Sequence, residues 1–322
     1  MMQDPHGRAV IGVTMGDPAG VGPEVVLKAI ASDAIASDVE IKLIGDSKLL
    51  SKVASELGLG SILEKIKIID LSNVPSQFEI GVDSAITGRA SAEYVVRSVE
   101  LWRRGEIDAV ATAPISKRAV ALGGFDFPGH TEFLAALTDT EEFAMSFFAE
   151  DLRVVLLSTH ISLREAIQLV KRDRLIQLIR FTNRELGRLL GKKVNIAVAG
   201  LNPHASEGGL FGTEETDEIV PAIEHCRDSN GINVSGPYSP DTIFLRCSKG
   251  EFDIVVAHYH DQATIPVKSI SFNEGVNVTL GLPFPRTSVD HGTAFEIAGK
   301  GIADESSMIA AIRLAAELVS KK

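Results

Sequence analysis

Short apolar runs alternate with amphipathic segments along the whole 322-residue chain. The runs are rich in valine and isoleucine, as expected for strands buried on both faces of a parallel sheet. They include residues 9–14, 41–45, 108–113, 153–160, 194–204 and 253–261. Apolar residues at helical spacing lie at 23–31, 91–104, 174–190 and 305–319. This βαβ alternation predicts an α/β fold with a largely parallel sheet, or two, and helices on both faces.

Three of the apolar runs end in a histidine. They read RVVLLSTH at 153–160, VNIAVAGLNPH at 194–204 and DIVVAHYHD at 253–261. Ligands of open α/β sheets bind beyond the carboxyl ends of the strands, so His160, His204 and His260 are expected to converge on one crevice. Three neutral imidazoles with no fourth protein ligand leave the open coordination position of a catalytic metal site. For any one of them alone, a hydrogen-bonded structural histidine is the alternative interpretation.

The stretch 258–292 is the densest in polar side chains, interleaved with glycine and proline. Loops of this composition position polar groups rather than build a core. Lys268 and Arg286 are candidates for binding a phosphate or carboxylate, although each could also be a solvated surface charge. His258 and His260 are two residues apart and would face the same side of a strand, so spacing alone does not select the ligand.

A turn follows the first predicted strand and reads TMGDPAGVGPE at 14–24. It leads into a helix in which Pro23 suits the first position. Backbone N–H groups at such a helix start can bind an anion, and a tight turn with an aspartate cap explains the same residues equally well. The segment at 129–132, GHTE, is expected to open another helix. The chain contains no GxGxxG, so a nicotinamide cofactor would need another kind of pocket.

Composition restricts the function classes. The chain is 45% hydrophobic and 23% charged, which is typical of soluble globular proteins, and its length suits one large or two smaller domains. A formal net charge of −11 argues against nucleic acid or an anionic membrane as partner. With only Cys226 and Cys247, a disulfide framework is not expected, and a reducing, cytoplasmic compartment fits. The N-terminus, MMQDPHGRAV, lacks a signal-peptide pattern, and no apolar stretch is long enough to cross a bilayer.

These residues together resemble the 4-hydroxythreonine-4-phosphate dehydrogenases of pyridoxal phosphate biosynthesis, with their 4-phosphoerythronate and 4-phosphothreonate dehydrogenase relatives. The matching segments are TMGDPAGVGPE (14–24), TAPISK (112–117), PGHTEFLA (128–135), STH (158–160), NPHASEGGLFG (202–212), PDT (240–242), YHDQ (259–262) and GVNVTLGLPFPRTSVDHGTAFEIAGKG (275–301). They span the chain in the family's order, and the last is long and unusual.

The resemblance implies the fold of the isocitrate and isopropylmalate dehydrogenases, in which two α/β/α domains flank a cleft and NAD binds without the glycine fingerprint. The first domain would comprise 1–130 and 275–322 with the cofactor loops, and the second 131–274 with the metal histidines and dimer contacts. A homodimer is implied, with the active site at the subunit interface and metal histidines from both subunits. The divalent metal is expected to be zinc, with magnesium, cobalt, manganese and nickel as alternatives.

The resemblance also assigns residues. The family's metal ligands fall on His160, His204 and His260, which selects His260 over His258. The implied substrate-binding residues are His130, Thr131, Lys268, Asn277 and Arg286. The acidic residues near the metal are Asp241 and Asp261, which would orient ligand histidines or, together with Lys268, assist proton transfer. The implied cofactor contacts are Gly16, Asp17, Thr112, Pro114, Asp290 and His291.

The implied activity is NAD-dependent and metal-dependent oxidation and decarboxylation of a 4-phosphorylated 3-hydroxy acid. The first expectation is 4-hydroxy-L-threonine 4-phosphate, converted to 3-amino-2-oxopropyl phosphate. Ser206 and Ala263 stand where glycines are expected, and Pro285 where isoleucine is common; Ala263, between the metal histidine and Lys268, bears on substrate choice. The run IPVK at 265–268 resembles the branch that oxidises 4-phospho-D-erythronate or 4-phospho-D-threonate, which is the alternative.

Three other classes of protein stay open. Phosphate acyltransferases share the implied fold but need neither metal nor nicotinamide, and the strand-end histidines argue against them. A metal-dependent hydrolase would use the open metal position without a cofactor. A non-catalytic metabolite-binding protein would keep the anion site and tolerate loss of the metal.

Overall fold

The computed structural model of the protein describes residues 8–271 and 275–320. Residues 1–7 of the N-terminal segment MMQDPHGRAV lie outside the described residues, as does residue 274, the predicted end of the second domain. The chain forms two compact units. One comprises the residues through Glu141 together with Leu282–Ser320, and the other comprises Glu142–Gly281.

The first unit is built on a parallel sheet of strand order β3-β2-β1-β4-β11. Its strands are β1 (Ala9–Thr14), β2 (Val39–Gly45), β3 (Lys67–Asp70), β4 (Ala109–Thr112) and β11 (Arg286–Ser288). Its helices are α1 (Gly22–Ala31), α2 (Ser47–Glu56), α3 (Ala85–Arg103), α4 (Lys117–Leu122), α5 (His130–Leu137) and α11 (Ser306–Ser320). The core between these elements is apolar and includes Ile11, Leu43 and Tyr94.

Polar side chains define where helices of the first unit begin. Asp46 accepts the Leu49 N–H at 2.9 Å at the start of α2, and Ser84 accepts the Thr87 N–H at 3.1 Å at the start of α3. Each satisfies one of the N–H groups that a helix start leaves without an intrahelical partner. Helix α1 has no such cap but carries a proline in its first turn, where no N–H is needed.

The second unit contains strands in the order β10-β5-β6-β9-β7-β8. They are β5 (Ala144–Ala149), β6 (Leu152–Leu156), β7 (Ile196–Ala199), β8 (Val234–Tyr238), β9 (Ile254–Ala257) and β10 (Val276–Leu280). The helices are α6 (Leu163–Leu169), α7 (Arg172–Leu190), α8 (Val220–Glu224), α9 (Ile243–Ser248) and α10 (His260–Ile270). Strands β6, β9, β7 and β8 are parallel, and β5 pairs antiparallel with β6 and with β10.

The predicted α/β fold class and the largely parallel pairing are confirmed. Strand β1 has the predicted bounds, and α1, α7 and α11 lie within two residues of theirs. Helix α3 starts six residues before the predicted 91, because Ser84 provides the cap. The antiparallel hairpin of β5 and β6 was not predicted; Glu150 makes its turn with φ 50°. Within the described residues, no helix has the length and apolar character needed to span a membrane.

Candidate functional site

The second unit places the carboxyl ends of three strands side by side. Strand β9 pairs in parallel with β6 on one side and with β7 on the other. The segments that carry His160, His204 and His260 follow β6, β7 and β9, so they leave the same edge of the sheet. The sequence prediction that these three segments share one edge is therefore supported by the strand pairing.

Two of the three imidazoles lie close together. The ring centroids of His160 and His260 are 5.6 Å apart, with a tilt of 42° between the rings. His260 is the first residue of α10, and its Nδ1 lies 2.7 Å from Oδ1 of Asp261. A carboxylate that accepts from Nδ1 orients the ring and leaves Nε2 as the nitrogen that would bind a metal. This supports the orienting role for Asp261.

His204 lies in a turn with an unusual backbone. It has φ 53° and ψ 32°, and the next three residues also have positive φ angles. Nearby, the Ser239 hydroxyl donates to Asp241 and holds the pKa of that carboxyl below its ordinary value, with a smaller contribution from the charge of His204. Asp241 is therefore the acidic residue within electrostatic reach of His204, as Asp261 is for His260.

A single chain does not assemble the predicted three-histidine group. No set of three His, Cys, Asp or Glu side chains with metal-binding geometry occurs among residues 8–271 and 275–320. The His160 and His260 pair has the donor chemistry for a divalent ion, because two neutral imidazoles suit zinc, nickel, cobalt or iron. These two imidazoles are one fewer than the three that the sequence predicted.

His258 is a structural residue. Strand β9 ends at Ala257, so His258 and His260 do not share the strand face that their spacing predicted. The ring of His258 is fully buried, and its Nε2 lies 2.7 Å from the Ala199 carbonyl oxygen. Burial lowers the pKa of His258, so the ring is neutral and donates from Nε2. It therefore ties the ends of β9 and β7 together.

A buried arginine forms the candidate anion site of the first unit. Arg286 opens β11 and is 2% exposed, and its Nη2 donates to Thr112 Oγ1 at 2.8 Å. Burial lowers the pKa of Arg286 to about 10, and the negative charge of Glu132 partly opposes this shift. A guanidinium that stays charged in so enclosed a place suits recognition of a carboxylate or phosphate.

His130 and Thr131 accompany Arg286 in the first unit. Gly129 precedes α5, and His130 and Thr131 are its first two residues, which confirms the predicted helix start. Burial, with the positive charge of Arg286, sets the pKa of His130 well below its ordinary value. Its Nε2 is enclosed and finds no hydrogen-bond partner in the described part of the chain. A neutral imidazole with an available nitrogen could orient a substrate oxygen.

The other two predicted substrate residues belong to the second unit. Lys268 is an exposed residue in the last turn of α10. Asn277 lies on β10, paired with Phe147 of β5, and its Oδ1 is buried with no partner among the described residues. The exposure of Lys268 fits a solvated surface charge as well as an anion contact, whereas the enclosed Oδ1 of Asn277 is a polar atom that a substrate could contact.

Four of the six predicted cofactor positions are buried and shape the turn after β1. Gly16 has φ +76°, and a Cβ there would lie 2.5 Å from the Pro114 carbonyl oxygen. Asp17 is fully buried, and its Oδ1 accepts the Ala19 N–H at 2.9 Å. Thr112 is buried as well and bonds to Arg286. These contacts favour a tight turn over the anion-binding alternative. The aspartate cap of that interpretation is not formed, because Asp17 bonds within the turn and α1 has no side-chain cap.

The remaining two cofactor positions are more accessible. Asp290 is half-buried and His291 is exposed, with its Nδ1 2.9 Å from the Gly292 carbonyl oxygen. The segment around His291 is the part of the predicted set that a dinucleotide could contact directly.

The departures from the family pattern have structural consequences. Ala263 is fully buried in the apolar core on the inner side of α10, packed with residues such as Val267. Its side chain therefore affects the packing of α10 rather than facing a substrate. Ser206 has φ +64°, a conformation that glycine adopts without strain, and its hydroxyl accepts the Gly209 N–H at 3.2 Å. The hydroxyl offsets part of the strain that replacing glycine creates.

Strand-end imidazoles in one unit and a buried guanidinium in the other are features of an α/β enzyme that acts on an anionic metabolite. Residues 15–315 match the family described as "Pyridoxal phosphate biosynthetic protein PdxA". The chain belongs to this family. It is accordingly a dehydrogenase, an oxidoreductase that acts on a CH–OH group.

Individual relatives are similar over nearly their whole length. The D-threonate 4-phosphate dehydrogenase of Cupriavidus necator is 45% identical, covering 97% of this chain and 98% of its own. The crystal structure of 4-hydroxythreonine-4-phosphate dehydrogenase from Klebsiella pneumoniae has a TM-score of 0.88 and 40% identity, covering 97% and 99% of the two chains. That of a 4-hydroxythreonine-4-phosphate dehydrogenase from Burkholderia phymatum has a TM-score of 0.84 and 44% identity, covering 96% and 98%. The resemblance inferred from the sequence is confirmed.

Proposed function

We propose that the chain catalyses the NAD-dependent and divalent-metal-dependent oxidation of a 4-phosphorylated 3-hydroxy acid of four carbons, followed by loss of the carboxylate as carbon dioxide. The observation that supports this most directly is the pair of imidazoles, His160 and His260, with ring centroids 5.6 Å apart beyond adjacent parallel strands. In a dehydrogenase family, two adjacent imidazoles fit part of a metal site better than they fit a site for nucleophilic catalysis.

The third metal ligand in this proposal is His204, supplied by a second copy of the chain. A homodimer would complete the group of three that one chain leaves incomplete. These three imidazoles would hold a divalent ion, which would supply Lewis-acid stabilisation of negative charge on the substrate oxygen. Asp261 would hold the His260 ring so that Nε2 is available. Asp241, within electrostatic reach of His204, would orient that ring or assist proton transfer.

The substrate's anionic groups are assigned to the charged and polar side chains described above. Arg286 would bind one of them through its fork, with the neutral His130 and Thr131 orienting the neighbouring oxygens. Lys268 and Asn277 would bind the other. NAD supplies the hydride acceptor, and the exposed segment at His291 is its proposed contact on the chain.

D-Threonate 4-phosphate is the first candidate substrate. The Cupriavidus necator relative carries that activity in its name at 45% identity, and IPVK at 265–268 resembles the same branch. 4-Hydroxy-L-threonine 4-phosphate is the second candidate, because the named Klebsiella pneumoniae and Burkholderia phymatum structures share 40% and 44% identity. Four-carbon 4-phospho-D-erythronate completes the panel.

The test is a panel of these three acids assayed by the appearance of NADH absorbance. We expect one of them to give a kcat/KM at least tenfold above the others, and His204→Ala to abolish turnover while leaving the melting temperature close to that of the wild type. A panel that produces no NADH in the presence of zinc, cobalt, manganese, nickel or magnesium would contradict the proposal.

A further inference from the structure

The end of β7 is anchored by two buried side chains from the segment that carries His260. His258 donates from Nε2 to the Ala199 carbonyl oxygen at 2.7 Å. Gln262 donates from Nε2 to the Gly200 carbonyl oxygen at 2.7 Å, and its Oε1 accepts the His258 N–H at 2.7 Å. His258 and Gln262 lie two residues before and two residues after His260, so two buried hydrogen bonds fix the strand ends to each other. The third bond links His258 to Gln262 within the same segment.

The next two residues of the same loop are anchored by a buried carboxylate. Glu215 is 2% exposed, and its Oε1 accepts the N–H groups of Leu201 at 2.8 Å and Asn202 at 2.7 Å. Its Oε2 accepts from Asn202 Nδ2 at 2.8 Å, and the same amide nitrogen donates to Glu214 at 2.8 Å. Four consecutive residues, 199–202, are thus each tied to a buried side chain.

The loop then enters a conformation that needs such support. His204, Ala205, Ser206 and Glu207 have φ angles of 53°, 52°, 64° and 46°. Left-handed conformations are unfavourable for non-glycine residues and rarely occur in succession. They persist where the surroundings over-determine the backbone. The anchors at 199–202 lie directly before this turn and set the direction in which it leaves the strand.

Glu215 has a chemical reason to be a carboxylate. Its two oxygens accept three N–H donors, whereas a glutamine offers one accepting oxygen and would turn its own N–H toward the Asn202 amide nitrogen. Rotating the Asn202 amide would only move the conflict to Glu214, which needs that nitrogen as a donor. Burying a charge is unfavourable unless it is hydrogen-bonded in this way.

We propose that Glu215 is a positioning residue that holds the backbone leading into the His204 turn, while Gln262 and His258 tie the two preceding residues to the segment that carries His260. The inference rests on the proposed function, since His204 is there the ligand that each chain supplies to the metal site of a second copy. Glu215 was not found from the sequence; the signal is the pair of glutamates that follows the glycine-rich segment 208–212.

The test compares Glu215→Gln with Asp217→Asn, which removes one negative charge from an exposed position two residues along the same helical segment. Glu215→Ala would leave the donors of Leu201 and Asn202 without an acceptor, so the isosteric glutamine is the primary variant. Hydrogen exchange by mass spectrometry follows the peptide 200–211, and a Co²⁺ titration of the metal-depleted protein measures affinity. For Glu215→Gln we expect faster exchange confined to 200–211, a Co²⁺ affinity about 10- to 100-fold lower, and a lower kcat with an unchanged KM for NAD.

Two results would overturn the positioning role. One is exchange in 200–211 equal to that of Asp217→Asn. The other is faster exchange with Co²⁺ affinity and kcat at the Asp217→Asn values, which would make Glu215 structural only. His204→Ala separates this from the proposed function: if that variant binds Co²⁺ as tightly as the wild type, the metal role of His204 fails, and with it the reason for positioning, even where Glu215→Gln alters the loop.

Discussion

Replacing Arg286 tests the anion site most sharply, because its guanidinium is buried and its contacts are defined. It is 2% exposed, donates to Thr112 Oγ1 at 2.8 Å and is balanced in part by the charge of Glu132. A charge-assisted hydrogen bond to a substrate anion is worth about 1.5–3 kcal/mol, which corresponds to roughly 10- to 150-fold in binding. Arg286→Ala should therefore raise KM for the phosphorylated acid by about that factor, and Arg286→Lys should fall in between, since lysine keeps the charge and loses the fork.

The assay is steady-state kinetics with three substrates: the phosphorylated acid, its dephosphorylated analogue and an analogue without the carboxylate. If Arg286 binds one of these groups, the effect of Arg286→Ala should disappear when that group is already missing. Arg118→Ala is the control, because that side chain is 82% exposed in the same unit and should leave KM unchanged. An effect of the same size with all three substrates would refute the assignment and reduce Arg286 to a structural residue.

Three further predictions concern single residues, namely His130, Asp261 and Gly88. The pKa of His130 is lowered in the folded chain, so its contribution to stability is complete above the unfolded value of 6.5 and is lost as the pH falls below it. One pH unit below 6.5, the wild type should have lost up to about 1.4 kcal/mol of unfolding free energy through this group. His130→Gln has no group that titrates there and should not show this loss in urea titrations. An identical pH dependence of the two proteins would contradict this. Asp261→Asn should weaken Co²⁺ binding by about 10- to 100-fold in a direct titration, and unchanged affinity would remove its orienting role. Gly88→Ala should lower the unfolding free energy by at least about 2 kcal/mol, because its Cβ would lie 1.8 Å from the Ala119 carbonyl oxygen, whereas Gly60→Ala, with open space around it, should be nearly neutral in thermal melts.

Much of the fold follows from the sequence because burial and helix periodicity are local signals. Ala9–Thr14 is apolar at nearly every position and buries its last four residues, so its bounds were predictable. The hairpin of β5 and β6 was missed because its strands contain no alternation that distinguishes antiparallel from parallel pairing. The spacing of apolar residues did not predict that α3 begins at Ala85, because the only signal there is the capping serine, Ser84.

The sequence located the site residues that directly follow strands. It did not locate those whose roles depend on contacts with distant parts of the chain. Strand ends located His160 and His260, which the structure brings together. The roles of His258 and Gln262 depend on contacts to the backbone of another strand, about 60 residues away. The prediction that His258 and His260 share a strand face was wrong because β9 ends at Ala257, before both residues.

We propose above all that His160 and His260 of one chain and His204 of a second copy bind one divalent ion on which NADH formation depends. The most direct measurement is X-ray absorption at the zinc or cobalt edge of the reconstituted protein, alongside the rate of NADH formation before and after chelation. The account predicts one ion per chain with three imidazole ligands, and loss of NADH formation on chelation that zinc or cobalt restores. Full NADH formation by the metal-free protein, or an ion without imidazole scattering, would contradict it.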